Sequence, residues 1–332
     1  MTVKTLNGHD RLSEMVARQP TDLIIENDKN ALVYLIHGVT GTPVEMRYLA
    51  RGLARGGGDV YVTTLPGHCT SLRNLVRTNE QQWCEHVRGQ LAYARERYER
   101  VYVAGLSAGA LLALEASTTV AVDGVGVLSP TFFYDGWNMP RCGDAFLSMV
   151  LKLVPKRLQL FLFHADGPPY GVKESKVQAH IRASYTPATI FHEWVGLWWE
   201  GHRSERAGNG SDPSSAASKG YPLFPLPTLS ELDRLMNRVK GRLEKVSAPT
   251  VILQATNDDM TGPRNAQLVY DNIASVQKEI VWLDDCYHVI TVDRQRQAVV
   301  THLKKFFRLS TPAPENIRVS DVSTDIQVAA NG

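Results

Sequence analysis

Short apolar runs alternate along this chain with segments of helical periodicity, and the alternation predicts strands and helices in turn. Six runs predict strands, at residues 31–36, 60–63, 101–106, 125–128, 250–254 and 280–283. The first is continuously apolar, which is typical of a parallel strand covered on both faces. Repeated strand–helix units predict an α/β fold, a mostly parallel sheet with helices on both faces.

Helical periodicity is clearest after residue 80. Apolar side chains recur there at steps of three or four, at Trp83, Val87, Leu91, Ala94 and Tyr98. This spacing predicts a surface helix with one buried stripe, and Thr78 and Gln81 have capping-box spacing before it. Further helices are predicted at residues 46–53, 235–246, 263–273 and 292–307.

The strand–helix alternation stops between residues 131 and 235. This segment carries many aromatic side chains and a Gly/Ser/Asn stretch at 203–220, so we interpret it as an inserted cap. The core domain is predicted in two parts, residues 1–130 with an N-terminal extension and residues 236–309. The polar residues 310–332 are predicted to form a loose C-terminal tail.

Charge and hydropathy argue against several classes of partner. The 332 residues carry 36 Lys and Arg against 34 Asp and Glu, so no net field attracts nucleic acid or an anionic membrane. Residues 1–20 lack the apolar core of a signal peptide, and no uninterrupted apolar segment is long enough to span a bilayer. We therefore expect a cytoplasmic protein with no transmembrane segment and no nucleic-acid partner.

Metal binding is not indicated either. The chain has four cysteines, Cys69, Cys84, Cys142 and Cys286. Their spacing matches neither a zinc site nor Cys-x-x-Cys, so reduced thiols are expected. His192 and His202 bracket Glu193 and Glu200, without a recognised ligand spacing. We expect no metal and no cofactor.

The strand at 101–106 leads into Gly-Leu-Ser-Ala-Gly at 105–109 and then into small and aliphatic residues. Strand, sharp turn and helix in this order expose a serine hydroxyl on a strained turn, the arrangement called a nucleophile elbow. Side chains at Gly105 and Gly109 would collide with the neighbouring strand and helix. Ser107 is therefore a candidate nucleophile.

Two further candidates follow later strands. Asp258 comes after the strand at 250–254, and His288 comes after the strand at 280–283. Because reacting groups collect beyond the carboxyl ends of the strands in such a sheet, we expect both to lie near Ser107. A serine hydroxyl needs a base, an imidazole suits that work, and a carboxylate fixes the tautomer of the imidazole.

Four motifs carry a resemblance to a known family: His-Gly-Val-Thr-Gly-Thr at 37–42, Gly-Leu-Ser-Ala-Gly at 105–109, Gln-Ala-Thr-Asn-Asp-Asp-Met at 254–260 and His-Val-Ile-Thr-Val-Asp at 288–293. Over about residues 31–130 and 236–308 the chain resembles the α/β-hydrolase superfamily, and within it the small bacterial carboxylesterases and monoacylglycerol lipases. The resemblance implies an α/β-hydrolase fold with Ser107 as nucleophile, His288 as general base and Asp258 as its orienting acid.

The negative oxygen of a tetrahedral intermediate also needs backbone donors. The candidates are the N–H of Ala108, directly after the nucleophile, and the N–H of Val39 in the first glycine loop. His37 and His68 lie in glycine-containing turns, and we interpret them as structural.

Other residues compete for the catalytic roles. Asp259 is an alternative to Asp258, and the resemblance favours Asp258, which leaves Asp259 solvated or bonded to its loop. Asp284 and Asp285 precede the histidine too closely in sequence to be the first choice as its acid. Cys286 lacks the flanks of an elbow and is interpreted as a packed thiol.

Together these features predict a serine carboxylester hydrolase that forms an acyl-enzyme on an apolar small-molecule ester. The tentative substrate-binding residues are large aromatic side chains of the cap, Trp137, Trp194, Trp198 and Trp199.

Two alternatives stay open. A thioesterase or acyltransferase would use the same triad and would call for a basic patch near the cleft. Two groups in the cap offer one, Lys152 with Lys156 and Arg157, and Lys173 with Lys176. A noncatalytic ligand-binding protein on the same scaffold is the other alternative. Decayed scaffolds lose triad members, and all three are present here.

Overall fold

The computed structural model describes most of the chain. The described residues are 12, 15, 17–27, 29–139, 149–151, 153–197, 220–309 and 318–320. Cys142, Lys152, Trp198, Trp199, Glu200 and His202 lie outside them, as do most of residues 1–20 and 310–332.

The described residues form ten strands. They are β1 (Leu23–Glu26), β2 (Ala31–Ile36), β3 (Asp59–Thr63), β4 (Arg100–Leu106), β5 (Gly124–Leu128), β6 (Phe163–Ala165), β7 (Leu223–Pro225), β8 (Thr250–Ala255), β9 (Lys278–Leu283) and β10 (Arg318–Ser320). Eight of them form one sheet in the order β10-β1-β3-β2-β4-β5-β8-β9. The six from β3 to β9 in this order pair in parallel, and β1 runs antiparallel to β3 and β10. The predicted mostly parallel sheet is confirmed.

In the described part of the chain, the structure gives the bounds of ten α-helices, several of which cover the two faces of this sheet. They are α1 (Arg47–Ala54), α2 (Leu72–Val76), α3 (Glu80–Arg95), α4 (Ala108–Ser117), α5 (Lys156–Gln159), α6 (Ser175–Ser184), α7 (Pro187–Gly196), α8 (Leu226–Lys240), α9 (Arg264–Asn272) and α10 (Arg296–Phe306). Apolar side chains of α1 and α10 pack on one face, and those of α3, α4, α8 and α9 pack on the other. Among these described helices, none is both long and apolar enough to cross a membrane.

Strand β2 explains why the central strands read as continuous apolar runs. Tyr34 packs into the cluster that contains α3 and α4, whereas Val33 and Leu35 pack into the cluster that contains α1 and α10. All six residues of β2 are buried because both faces of the sheet are covered. The parallel strands end at one edge of the sheet, where the loops after β2, β4, β5, β8 and β9 meet.

The helix after residue 78 begins one residue later than its predicted capping box. Asn79 is the N-cap: its side chain accepts the N–H of Gln82 at 2.9 Å, and the Gln82 side chain accepts the N–H of Asn79 at 3.0 Å. Thr78 instead donates its hydroxyl to the Leu75 carbonyl at 2.8 Å. The predicted motif is therefore present, with different residues.

The two antiparallel strands at one end of the sheet, β1 and β10, are additions to the predicted sheet. β10 pairs with β1 through Arg318–Ser320, so three residues of the predicted tail belong to the sheet. Inside the segment predicted as the cap, β6 and β7 form a separate antiparallel pair. α8 also begins in that segment, at Leu226, and the domain boundaries stay predictions.

Candidate active site

Ser107 lies at the turn between β4 and α4. Its backbone has φ 57° and ψ −117°, a region that a residue with a Cβ rarely adopts. A Cβ on Gly105 would lie 2.0 Å from the carbonyl oxygen of Gly109, and a Cβ on Gly109 would lie 2.4 Å from that of Ile36. The predicted need for glycine on either side of the serine is confirmed.

The hydroxyl of Ser107 is held by the end of the neighbouring strand. Ser107 Oγ lies 2.9 Å from Thr131 Oγ1, and Thr131 is buried just beyond β5. The Ser107 N–H donates to the Leu128 carbonyl at 2.9 Å. The elbow is therefore fixed to β5 as well as to its own strand.

Asp258 and His288 form a buried hydrogen-bonded pair. His288 Nδ1 lies 2.9 Å from Asp258 Oδ2 and 3.2 Å from Oδ1. The side chains are 4% and 0% exposed for His288 and Asp258. Because Nδ1 faces the carboxylate, Nε2 is the ring nitrogen available to the cavity that His288 and Ser107 both line.

Four further donors fix the carboxylate of Asp258. The N–H groups of Met260 and Thr261 donate to Oδ1, each at 2.8 Å. Gln254 Nε2 and Thr261 Oγ1 donate to Oδ2, at 2.9 and 3.1 Å. A carboxylate held in this way orients the imidazole and fixes its tautomer.

Three carboxyl groups act on the ring of His288. Burial by itself lowers the pKa of an imidazole. The charge and hydrogen bond of Asp258, together with the charges of Asp259 and Glu45, outweigh burial and raise the pKa of His288 above its ordinary value. The ring is therefore a stronger base than an isolated histidine.

Asp259 bonds to backbone groups beside the pair. Its Oδ1 accepts the N–H of His288 at 3.2 Å, and its Oδ2 accepts the N–H of Gly171 at 3.1 Å. Burial raises the pKa of Asp259 more than the charge of His288 lowers it. This carboxyl joins the loop after β9 to the loop around residue 171.

The first glycine loop, residues 38–41, presents one backbone amide without a protein acceptor in the described chain, that of Val39. The other three amides donate to Glu45 Oε1 from Gly38 (2.5 Å), to His68 Nε2 from Thr40 (3.3 Å) and to the Gly38 carbonyl from Gly41 (3.1 Å). Val39 also lines the cavity beside Ser107. Its N–H is therefore available to a bound group.

Ala108 supplies a second available amide. It is the first residue of α4, so its N–H has no acceptor within the helix. The positive end of the helix dipole lies at the same point and favours negative charge. The glycine loop passes close to the elbow, since a Cβ on Gly38 would lie 3.5 Å from the Cβ of Ser107.

A cavity of about 420 Å³ opens beside Ser107 and His288. Its lining is mostly apolar and includes Leu162, Phe163, Phe224, Leu226, Leu229 and Leu232. His164 and Asp166 add polar groups on the side of β6. Burial raises the pKa of Asp166 to about 7, and the charge of Asp259 adds to that rise. The described lining is therefore mostly apolar, with its polar side chains beside Ser107 and His288 and around β6.

Comparison with known families shows to which family the chain belongs. The sequence matches the model of the alpha/beta hydrolase family over residues 33–302. The chain belongs to the alpha/beta hydrolase family. The predicted fold is confirmed.

Curated relatives of this alpha/beta hydrolase are bacterial lipases and esterases. It is 26% identical to a thermostable monoacylglycerol lipase of Bacillus sp. strain H-257 over 275 residues, which covers 83% of this chain and 89% of the relative. It is 24% identical to a carboxylesterase of Bacillus subtilis strain 168 over 277 residues, or 82% of this chain and 91% of the relative. This alpha/beta hydrolase is accordingly of the carboxylesterase and lipase type.

A solved structure gives the same fold. A structure reported with the metagenome-derived lipolytic enzymes LipS and LipT superposes with a TM-score of 0.65 at 22% identity. The match covers 88% of this chain and 99% of the other.

The described tryptophans among the tentative substrate-binding residues lie outside the cavity lining. Trp137 is 57% exposed and donates its indole N–H to the Asn257 carbonyl at 3.1 Å. Trp194 packs against the core beside Phe191. The aromatic rings of Tyr134, Phe163 and Phe224 line the cavity of this alpha/beta hydrolase instead, together with aliphatic side chains.

His37 and His68 support the glycine loop, as their structural interpretation predicts. His37 Nδ1 donates to the Gly38 carbonyl at 2.8 Å while Nε2 accepts the N–H of Leu65 at 3.1 Å. His68 Nε2 accepts the Thr40 N–H. Burial lowers the pKa of both rings, to about 4 for His68. Both imidazole rings are therefore uncharged near neutral pH.

The weaker competitors for the catalytic roles have other partners. Asp284 accepts Gln295 Nε2 at 2.8 Å, and Asp285 pairs with Lys173 Nζ at 2.8 Å. Cys286 is a buried free thiol whose pKa burial raises to about 12, as expected of a packed cysteine. Within the described ranges, no group of three or more His, Cys, Asp or Glu lies where it could hold a metal ion.

Four residues around the site were absent from the sequence predictions. Thr131 follows a predicted strand end, and Thr261 follows directly after a recognised motif, so their positions carried a usable signal. Glu45 and Asp166 had none, because one lies in a short 3-10 helix and the other in the irregular segment around β6.

Proposed function

We propose that this protein hydrolyses carboxylic esters through an acyl-enzyme on Ser107, with His288 as general base and Asp258 as its orienting acid. The observation that carries the proposal is the buried 2.9 Å hydrogen bond between His288 Nδ1 and Asp258 Oδ2, beside an apolar cavity that Ser107 also lines. The names of the relatives, a monoacylglycerol lipase and a carboxylesterase, support an ester as the substrate class.

The chemistry proceeds in two halves. Ser107 Oγ attacks the ester carbonyl while His288 Nε2 takes the hydroxyl proton, and His288 then returns that proton to the departing alcohol. Water attacks the resulting acyl-enzyme in the second half and gives its proton to His288. His288 returns that proton to Ser107 Oγ as the intermediate collapses, which breaks the acyl–Oγ bond and releases the carboxylic acid. The Asp258 carboxylate stabilises the imidazolium in both halves.

The oxyanion of each tetrahedral intermediate binds to two amides, those of Val39 and Ala108. The N–H of Val39 has no acceptor within the described chain, and Ala108 begins α4. Preorganised donors of this kind stabilise the transition state more than the substrate, because negative charge develops only on the way to the intermediate.

The acyl group is apolar and occupies the cavity lined by Leu162, Phe163 and Phe224. Burial of each methylene contributes about 0.8 kcal/mol, nearly a fourfold gain in binding. A carboxylate on the acyl chain would meet Asp166, and no Lys or Arg is among the described residues that line the cavity.

Partitioning of the acyl group tests this mechanism. Two esters with one acyl chain and different alcohols are hydrolysed in the presence of hydroxylamine, and acyl hydroxamate and free acid are measured. A common acyl-enzyme requires the same product ratio from both esters. A ratio that follows the alcohol would contradict the acyl-enzyme, and a large preference for the matching thioester would favour thioesterase activity instead.

A further inference from the structure

A carboxyl group lies against the inner side of the glycine loop. Glu45, in the 3-10 helix Pro43–Met46, accepts the Gly38 N–H at Oε1, 2.5 Å away. A Cβ on Gly38 would lie 3.4 Å from that oxygen and 3.5 Å from the Cβ of Ser107. The Glu45 carboxyl and the side chain of Ser107 therefore both lie in van der Waals range of the Cβ position of Gly38.

The local fold delivers this carboxyl to the loop. Thr42 caps the 3-10 helix by accepting the Val44 N–H at 3.3 Å, and Glu45 N–H donates to the Thr42 carbonyl at 3.2 Å. The Gly41 N–H donates to the Gly38 carbonyl, so the glycine loop forms a turn beside the Glu45 carboxyl. The side chain at position 45 thus reaches back into the turn that precedes its own helix.

The hydrogen bond of Glu45 holds the peptide group directly before the one that carries the Val39 N–H. Gly38 N–H and Thr40 N–H are each drawn to a side chain, of Glu45 and His68 respectively. Val39 lies between them, and its N–H is the one left for a ligand among the loop's described amides. Without Glu45, the His37–Gly38 peptide would lose the acceptor of its N–H, and the Gly38–Val39 peptide that follows it would lose a fixed neighbour.

We propose that Glu45 is a positioning residue for the oxyanion hole, which holds the Gly38 N–H so that the Val39 N–H stays directed at the developing oxyanion. The inference rests on the proposed function and extends it to a side chain with no part in the triad. The role needs a hydrogen-bond acceptor rather than a charge. Burial raises the pKa of Glu45 to about 7, and both forms of a carboxyl offer an acceptor oxygen.

Two substitutions at position 45 separate acceptor from charge. Glu45→Ala removes the acceptor and should lower kcat by about 10-fold to 100-fold, less than the loss of a whole oxyanion donor, with KM within about twofold because the donor acts in the transition state. Glu45→Gln keeps an acceptor at Oε1 and should restore most of kcat. If Glu45 only stabilised the fold, its substitution would not lower kcat selectively while leaving KM nearly unchanged.

Substitution of Gly41 is a second way to displace the Glu45 carboxyl. A Cβ there would lie 2.5 Å from Glu45 Oε2, and its three nearest atoms all belong to the Glu45 carboxyl group. Gly41→Ala should therefore displace the carboxyl and lower kcat much as Glu45→Ala does. In the Glu45→Ala background the same change meets no carboxyl and should cost little more, so the two losses should not add.

The experiment measures kcat and KM of the four variants (Glu45→Ala, Glu45→Gln, Gly41→Ala and the double alanine variant) on one p-nitrophenyl ester, with thermal unfolding as the folding control. Unchanged turnover in Glu45→Ala, an equal loss in Glu45→Gln, or additive losses would each overturn the inference. If Glu45→Ala fails to fold, Gly41→Ala and Glu45→Gln decide it. A wild-type protein that hydrolyses no ester would overturn the proposed function itself, whereas an active wild type with unaffected variants overturns this inference alone.

Discussion

The two sides of the cavity are built differently. On the core side, Ser107, Asp258 and His288 lie in the turns and loops that follow parallel strands, and each is hydrogen-bonded to buried groups. On the opposite side, Leu162 and Phe163 are 43% and 41% exposed and belong to the short segment around β6. Hydrogen-bonded loops at the strand ends hold the groups that need fixed geometry, and a partly exposed surface holds the groups that only need to be apolar.

This contrast implies two kinds of response to substitution. Changes on the core side should reduce kcat for all esters alike, because they act on the reacting atoms. Changes on the β6 side should alter which ester is preferred, because they act on the acyl chain. Each prediction below tests one side of this division.

Ser107→Ala should have the largest effect. It removes the nucleophile and should lower kcat by a factor on the order of a million, as in comparable triads. The loss should be the same for short and medium acyl chains. Hydrolysis of p-nitrophenyl esters measures the rate, and an unchanged thermal midpoint shows that only a hydroxyl was lost. Turnover above a few per cent of wild type would move the nucleophile elsewhere.

Asp258→Asn should come next, with a loss of about ten-thousandfold because His288 is left in the wrong tautomer. Asp259→Asn is the matched control, since it changes a neighbouring carboxyl that bonds backbone N–H groups instead of the ring. Its effect on kcat should be far smaller. Steady-state kinetics of the two variants gives the ranking.

A reversed ranking would assign the orienting acid to Asp259. Equal and mild effects would remove both from the role and direct attention to Asp284 and Asp285, whose variants should otherwise behave as wild type. The ranking therefore tests the core side residue by residue.

Phe224→Ala tests the β6 side. For the wild type, kcat/KM on uncharged p-nitrophenyl esters should rise from acetate through medium chains by up to about fourfold per methylene, and fall once the chain outgrows the cavity. Removing the Phe224 ring should flatten that rise. Trp137→Ala is the control, because its indole lies outside the lining. A wild-type profile that peaks at acetate would contradict an apolar acyl site.

The pH profile should show the smallest effect. His288 must be neutral to accept the proton of Ser107, so kcat/KM should fall as pH drops through the pKa of His288. Because that pKa is raised, the acidic midpoint should lie above about 6.5, the ordinary value for histidine. Asp259→Asn removes one of the charges that raise it and should move the midpoint to lower pH. A midpoint that stays in place or moves upward would contradict this electrostatic account.

The same division separates what the sequence predicts from what it does not. The parallel strands were predictable because β2 and its neighbours are buried on both faces and read as apolar runs. β1 and β10 were not, because four-residue and three-residue strands at an antiparallel edge leave too short a pattern. The capping box moved by one residue because Thr78 and Asn79 are both competent caps, and only the helix start decides between them.

At the candidate site, motifs at strand ends predicted Ser107, Asp258 and His288, which the structure brings close to one cavity. Residue type alone predicted Trp137, which is 57% exposed and outside the cavity lining. The side chains that line the cavity are set by the path of an irregular segment across the edge of the sheet. That segment has no periodic pattern from which its path could be predicted. Glu45 illustrates the same limit on a smaller scale, since its role comes from a turn that folds back onto it.

The most direct test of the central claim is mass spectrometry after reaction with a fluorophosphonate. An activated serine in an oxyanion hole should take up one phosphonyl group, displacing fluoride, and digestion should locate the added mass on Ser107. Ser107→Ala should gain none, and Asp258→Asn should react much more slowly than Asp259→Asn. A wild-type protein that stays unmodified, or that carries the phosphonyl group on another residue, would contradict the account.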